Sequence, residues 1–247
     1  MLKRRLFLLL AVLLPLLGFA QAKSVPYFSQ IGGTSKLDAD WTVYNVNGDE
    51  KTWINDASSS SNYSSITAVK VTAGAKYVYN TKADANDWLV SPAIHLEADK
   101  EYKVSFYVKT SGSFKESLRL AVANANTADA MATKSETLLD FPELTEKTFV
   151  KKSVVYVARE SGDYYFGLYE YSKKDLYNVF VTAFSVAENI TTPAPVTGLT
   201  ATEGADEAIT VDLKWTLPTK DEDGNDLTTP LTGVEVYRDG TLAKTPA

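Results

Sequence analysis

The sequence predicts an all-β protein: an antiparallel sandwich, then the start of a second, smaller β unit. Three observations carry this. Apolar residues recur at every second position in most of the structured segments, which is the period of a half-buried strand. Short turns rich in Gly, Ser and Asp separate those segments. Helix-compatible sequence is confined to Thr127 to Ala132, one or two turns at most.

The elements follow in order. Lys3, Arg4 and Arg5 precede an apolar run from Leu6 to Phe19, and Ala20-Gln21-Ala22 closes it with small residues. That is the layout of a cleavable signal peptide over residues 1–22, and it predicts export. The run is shorter than the ~20 residues a membrane-spanning helix needs, and no later stretch is apolar enough to span. Residues 23–188 form the first domain. Within it Tyr102, Val104, Phe106 and Val108 alternate with Lys103, Ser105, Tyr107 and Lys109, and Leu118, Leu120 and Val122 continue the pattern after a Ser111-Gly112-Ser113 turn. Val150 to Val157, Tyr164 to Tyr171 and Tyr177 to Val186 complete the strands. Ser58 to Ser65 reads as a solvated connection. Pro193 and Pro195 interrupt the chain, so residues 189–194 are a linker. Residues 195–247 alternate again through Val211, Leu213 and Trp215, then Val234 to Tyr237 with a hairpin turn at Arg238-Asp239-Gly240-Thr241. Three or four strands give only half a core, so this second domain is expected to be truncated, the chain being the N-terminal part of a longer protein.

Composition excludes several function classes. With no cysteine, disulfides, thiolate catalysis and zinc-thiolate sites are ruled out. Net charge is −6 with both signs interspersed, so neither nucleic acid nor an anionic membrane is an expected partner. No phosphate loop, G-x-S-x-G elbow or H-E-x-x-H pattern occurs. His95, the single histidine, alternates with Ile94 and Leu96 and reads as a solvated strand residue. Asp84, Asp87, Glu97, Asp99 and Glu101 cluster in sequence, but around a turn and strand ends, where solvated charge is usual. The chain is therefore not expected to be an enzyme.

Two signals point to binding chemistry. Asn45, Asn47 and Asp49 place oxygen side chains at alternate positions around Gly48, a spacing that lets oxygens converge on calcium; the plain alternative is an Asx turn closed by its own hydrogen bonds. Trp41, Trp53 and Trp88 could stack on sugar rings or fill the core. Trp88 is expected in the core. Trp53, beside the Asx loop, is the one expected to be partly exposed and ligand-binding.

At this point two resemblances enter. Asp40-Trp41-Thr42, Asn45-Val46-Asn47-Gly48-Asp49, Trp53, the Asp87-Trp88-Leu89-Val90-Ser91-Pro92-Ala93-Ile94 segment, Glu101 to Phe106, Glu116-Ser117-Leu118 and Tyr164 to Leu168 resemble the cleaved-adhesin or choice-of-anchor J module. This is a jelly-roll sandwich, related in shape to MAM domains, that occurs in gingipain-type adhesin regions. In that family the Asx loop is typically aspartate-rich and a late strand carries Ile-Asp-Asp-Val; here two loop positions are asparagine and the strand reads Val181-Thr182-Ala183-Phe184. From Pro195, the pattern through Leu213-Lys214-Trp215 and Val234 to Gly240 resembles the first half of a fibronectin type III domain, with Trp215 and Tyr237 at that family's core positions. The resemblance implies a secreted or cell-surface, non-catalytic adhesion module recognising carbohydrate or extracellular host protein, with calcium as the one cofactor to test. The alternative is the non-catalytic N-terminal region of a larger secreted hydrolase.

Overall fold

The computed structural model describes residues 21–59, 62–190, 192–204, 211–222, 224, 226–227, 231 and 233–244. The basic and apolar parts of the expected signal peptide lie outside the described residues. The chain divides into two compact units, one ending at Asn189 and the other beginning at Ile190.

Among the described residues the first unit holds twelve strands: β1 (Tyr27–Ser29), β2 (Thr42–Asn45), β3 (Trp53–Asp56), β4 (Gly74–Tyr77), β5 (Asp87–Val90), β6 (Ile94–Leu96), β7 (Glu101–Thr110), β8 (Glu116–Ala123), β9 (Glu136–Leu144), β10 (Val150–Val157), β11 (Gly162–Glu170) and β12 (Val179–Glu188). One short helix, α1 (Ala128–Thr133), follows β8, and the Thr127 hydroxyl caps it by accepting from Ala130 N at 3.1 Å. The strands form two antiparallel sheets. The first runs β10-β7-β12-β4-β3, with β1 also paired to β12; the second runs β2-β5-β11-β8-β9, with β6 also paired to β11.

Two strands each serve two neighbours along one edge. β12 pairs with β4 through Val179–Val181 and with β1 through Phe184–Val186, and its register shifts between Thr182 and Ser185. β11 pairs with β6 through Gly162–Tyr164 and with β5 through Gly167–Glu170. The gap between β5 and β6 is where Ser91-Pro92 stands. Proline cannot continue the ladder, and the buried Ser91 fills the break: its N–H donates to Phe166 O at 2.9 Å and its hydroxyl accepts from Phe166 N at 3.0 Å.

The inward positions of both sheets form the core. Leu89, Ile94, Leu96, Val104, Phe106, Leu118, Leu120, Phe166, Leu168, Val181 and Phe184 are all fully buried there. The all-β antiparallel sandwich read from the two-residue period is the observed architecture. β1 to β4 have no counterpart in that reading, and neither does β9. It contains Pro142 and two register shifts against β8, the marks of an edge strand, and these blur its alternation. The serine-rich connection also departs from expectation. Tyr63, in a single 3₁₀ turn, is buried, donates its hydroxyl to Asp56 Oδ2 at 3.0 Å, and packs with Ile66 and Val71 against Ala183.

The second unit holds two hairpins, β13 (Thr197–Glu203) with β14 (Val211–Thr216) and β15 (Val236–Arg238) with β16 (Thr241–Lys244). Trp215 is half-buried and Tyr237 is 58% exposed.

Candidate ligand-binding face

Alternation in the second sheet sends one set of side chains outward. Cross-strand pairing lines up Tyr44, Trp88, Tyr169, Arg119 and Asp140 as one row across β2, β5, β11, β8 and β9. Trp88 and Tyr169 stack with centroids 4.5 Å apart and planes at 22°; Tyr169 and Tyr171 stack at 5.5 Å and 14°. The three rings form a nearly parallel series that runs from the buried Trp88 to the half-buried Tyr171.

One end of this face is covered and the other is open. Met131 of α1 packs beside Trp88 and Val90, and a Cβ on Gly167 would lie 2.6 Å from Met131 Sδ and 2.8 Å from the Trp88 ring, so only glycine fits beneath them. Tyr44 donates its hydroxyl to Asn126 O at 2.8 Å, fastening the segment before α1. Toward Tyr171 the polar groups gather. The Arg119 guanidinium lies 5.2 Å from the Tyr171 centroid and 5.9 Å from that of Tyr169, and donates to Asp140 Oδ2 at 3.2 Å. Tyr171 donates to Asp140 Oδ1 at 2.5 Å, and Tyr169 donates to Asn86 Oδ1 at 3.0 Å. Burial, reinforced by Asp140, pushes the Tyr171 hydroxyl up to about 12, so it is a neutral donor at physiological pH. The result is a tyrosine platform flanked by a guanidinium and a carboxylate.

Sequence reasoning passed over this set. The signal was present in the β11 stretch: Tyr165, Tyr169 and Tyr171 share the parity opposite to Phe166 and Leu168.

The residues singled out from sequence fall elsewhere. Trp53 is 2% exposed, meets Tyr77 edge-on at 5.8 Å and donates Nε1 to Asp87 O at 3.3 Å. It is a core residue, and the expected exposure for sugar stacking is corrected: β3 turns it inward. Trp41 is also buried, against Phe184. Trp88 is buried as expected, but on the outer face of its sheet. His95 is exposed and pairs with Asp163 at 2.9 Å.

The Asx loop is closed largely by its own bonds. Asp49 accepts from Asn47 Nδ2 at 2.9 Å and from Lys51 N at 2.7 Å, so both carboxylate oxygens are engaged. Asn45 Nδ2 donates to Asp49 O at 2.5 Å and Lys51 O at 3.2 Å. Asn47 and Asp49 thus face each other, while Asn45 Oδ1 is buried without a partner. At the strand position where the resemblance leads one to look for aspartate, the Thr182 hydroxyl lies 2.7 Å from Ala73 O and 3.2 Å from Gln30 O. Among the described residues, no group of three or more His, Cys, Asp or Glu converges at metal distance. Beneath the loop the Thr52 and Tyr77 hydroxyls stand beside the buried Asp87 carboxyl.

Three carboxyls occupy this pole of the sandwich. Asp87, Glu116 and Glu170 are all on inward positions and essentially unexposed, and no cationic side chain among the described residues pairs with them. Burial pushes all three carboxyls up, Glu170 furthest, with the Glu116 charge adding to it. Glu170 is bonded through both oxygens to the Ser172 hydroxyl and N–H, and Glu116 Oε1 accepts from Tyr177 N at 2.6 Å.

Two antiparallel sheets around one core define a jelly-roll-type β-sandwich. The chain belongs to the Cleaved Adhesin Domain family, whose model matches residues 29–183. Among solved structures it is similar to the K2 cleaved adhesin domain of Lys-gingipain, 13% identical over 67% of this chain and 99% of that domain, with a TM-score of 0.51. The K1 domain of Lys-gingipain from Porphyromonas gingivalis W83 is 14% identical over 67% and 99%, with a TM-score of 0.50. At these identities the likeness is one of fold. No curated protein matches the sequence.

Proposed function

We propose that the chain is an exported, non-catalytic binding module that holds carbohydrate on the open part of its second sheet, around Tyr169, Tyr171, Arg119 and Asp140. The observation that carries this is the tyrosine stack ending half-buried beside a guanidinium–carboxylate pair. A sugar has an apolar C–H face and a rim of hydroxyls. An aromatic ring meets the first; an acceptor and a forked donor set side by side meet the second. Family membership supports adhesion as the setting, and the basic-then-apolar leader supports export. Residues 195–247 we read as fibronectin type III-like, supported by the half-buried Trp215 on β14.

The test is a glycan and host-protein array, followed by affinity measurements on the strongest glycan with Tyr171→Ala and Arg119→Ala. Each variant is expected to fold normally and to lose about tenfold or more in affinity, the scale of one good aromatic or charged contact. A protein partner in place of any glycan, or glycan binding indifferent to both substitutions, would overturn the reading.

A further inference from the structure

The outward face of the first sheet carries a charge pattern that the carbohydrate face of the second sheet does not use. Strand pairing sets Lys109 of β7 directly opposite Phe180 of β12, and Phe180 directly opposite Lys76 of β4. Lys151 of β10 stands opposite Tyr107, the next outward position along β7. The three lysines lie more than thirty residues apart in the chain, so no basic run marks them in the sequence. The Lys109 ammonium sits 4.9 Å from the Phe180 ring centroid and 5.3 Å from that of Phe149, and Lys76 Nζ reaches the same Phe180 ring at 5.9 Å. The rings are thereby capped: Phe180 points outward yet is only 7% exposed. Lys76 is balanced by the buried Asp56 at 4.0 Å. Among the described residues no carboxylate comes within 4.0 Å of Lys109 or Lys151. Burial pushes the Lys109 ammonium down from the ordinary lysine value, with the Asp56 charge opposing.

We propose that this face binds an anionic polysaccharide, with Lys109 and Lys151 meeting its sulfate or carboxylate groups and Lys76 adding to the field. A half-buried ammonium held between two rings gains most from an anion, because the rings replace only part of the water it has lost. The lysines are spaced for a chain of charges and not for a single ion. Lys76 is two strands from Lys109, roughly 10 Å at the usual strand separation, and Lys151 is one strand over and two residues along, roughly 8 Å. Lysine offers a point charge and not the planar fork that favours nucleic-acid phosphates. Single-stranded bases need open ring faces, and here ammonium groups cap them. The proposal stands apart from the carbohydrate reading above, which concerns the opposite sheet.

The test uses the whole chain and heparin as the probe, with dextran sulfate and uncharged dextran beside it. Heparin and dextran sulfate are expected to bind at low salt and to weaken steeply as salt rises, and dextran is expected not to bind. Lys109→Gln should lose about tenfold in heparin affinity, the scale of one charge-assisted hydrogen bond, and Lys109→Arg should keep most of it. Lys151→Glu, at an exposed position on the edge strand β10, does not threaten the fold and should lose at least as much through repulsion. Bound heparin should also shield Lys109 and Lys151 from acetylation by a succinimidyl ester, read by mass spectrometry, and leave the exposed Lys134 beside α1 open. Failure of heparin to bind, affinity that survives both Lys109→Gln and Lys151→Glu, affinity lost instead on Arg119→Ala, shielding of Lys134 in place of Lys109, or tighter binding of duplex DNA or phosphatidylserine vesicles than of heparin would each overturn the proposal.

Discussion

One end of the second sheet shows two rows a single residue apart. Outward stand Tyr44, Trp88, Tyr169 and Arg119; inward stand Asn45, Asp87, Glu170 and Leu118. Two residues further along the same strands the inward row is Val43, Leu89, Leu168 and Leu120, ordinary core. So the usual assignment of polar residues to water and aromatic ones to the interior is reversed at this pole. Such a reversal costs stability, through desolvated carboxyls inside and rings left outside. A local reversal inside an otherwise regular sheet is where function is to be sought, and the proposed carbohydrate face lies on the outward row.

The largest expected effect tests whether the pole is nevertheless core. Trp53 and Tyr77 close it from the opposite sheet. Trp53→Ala should cost about 3–5 kcal/mol by chemical denaturation, the usual range for a buried tryptophan. A loss under about 1 kcal/mol together with lost glycan binding would restore Trp53 as a ligand residue and break the comparison.

How much of this was legible in the sequence depends on how local each signal is. The strands β7, β8 and β10 to β12 follow from two-residue alternation, and α1 from the helix-compatible stretch Thr127 to Ala132, because those signals need only neighbouring residues. The Asx loop was legible as a loop, since Asn and Asp around Gly48 close on their own backbone. The direction of Trp53 was not: its surroundings are set by Tyr77 across the β3–β4 pair and by Asp87 from the other sheet. The carboxyls at Asp87, Glu116 and Glu170 look like solvated strand-end charges until pairing puts them on inward positions. Likewise Arg119 and Asp140 meet only through the β8–β9 pairing, and β9 is the strand whose alternation its proline and register shifts obscure.

A middle-sized effect sharpens the inner row. Glu116 is buried, its Oε2 lacks a partner, and burial raises its folded pKa above the ordinary 4.5. A carboxyl raised in the folded state binds its proton more tightly there than in the unfolded chain. Its contribution is therefore fully present below about pH 4.5 and is lost as pH rises through the folded value. Stability should fall over that window. Glu116→Gln keeps the acceptor for Tyr177 N and removes the charge, so it should flatten the fall and leave the variant more stable than the wild type at pH 8. Parallel pH profiles for variant and wild type would show that the carboxyl ionises at no cost and that the row is wetter than its burial suggests.

The smallest effect on stability belongs to the outer row, and it separates ring from hydroxyl. Tyr171→Phe keeps the stack on Tyr169 and removes only the donor to Asp140. Because both partners are partly exposed, water replaces the lost bond, and the change in stability should be within about 1 kcal/mol. Binding should divide differently. If the platform works through the ring, Tyr171→Phe retains most of the affinity that Tyr171→Ala loses. The remaining loss, a few-fold, reflects Asp140, which then keeps one of its two restraints, the bond from Arg119 at 3.2 Å. Titration of both variants against the same glycan decides the matter. Equal losses would mean that the hydroxyl, and the carboxylate it aims, recognise the ligand, and that the stacked rings are merely the outward packing of a sheet.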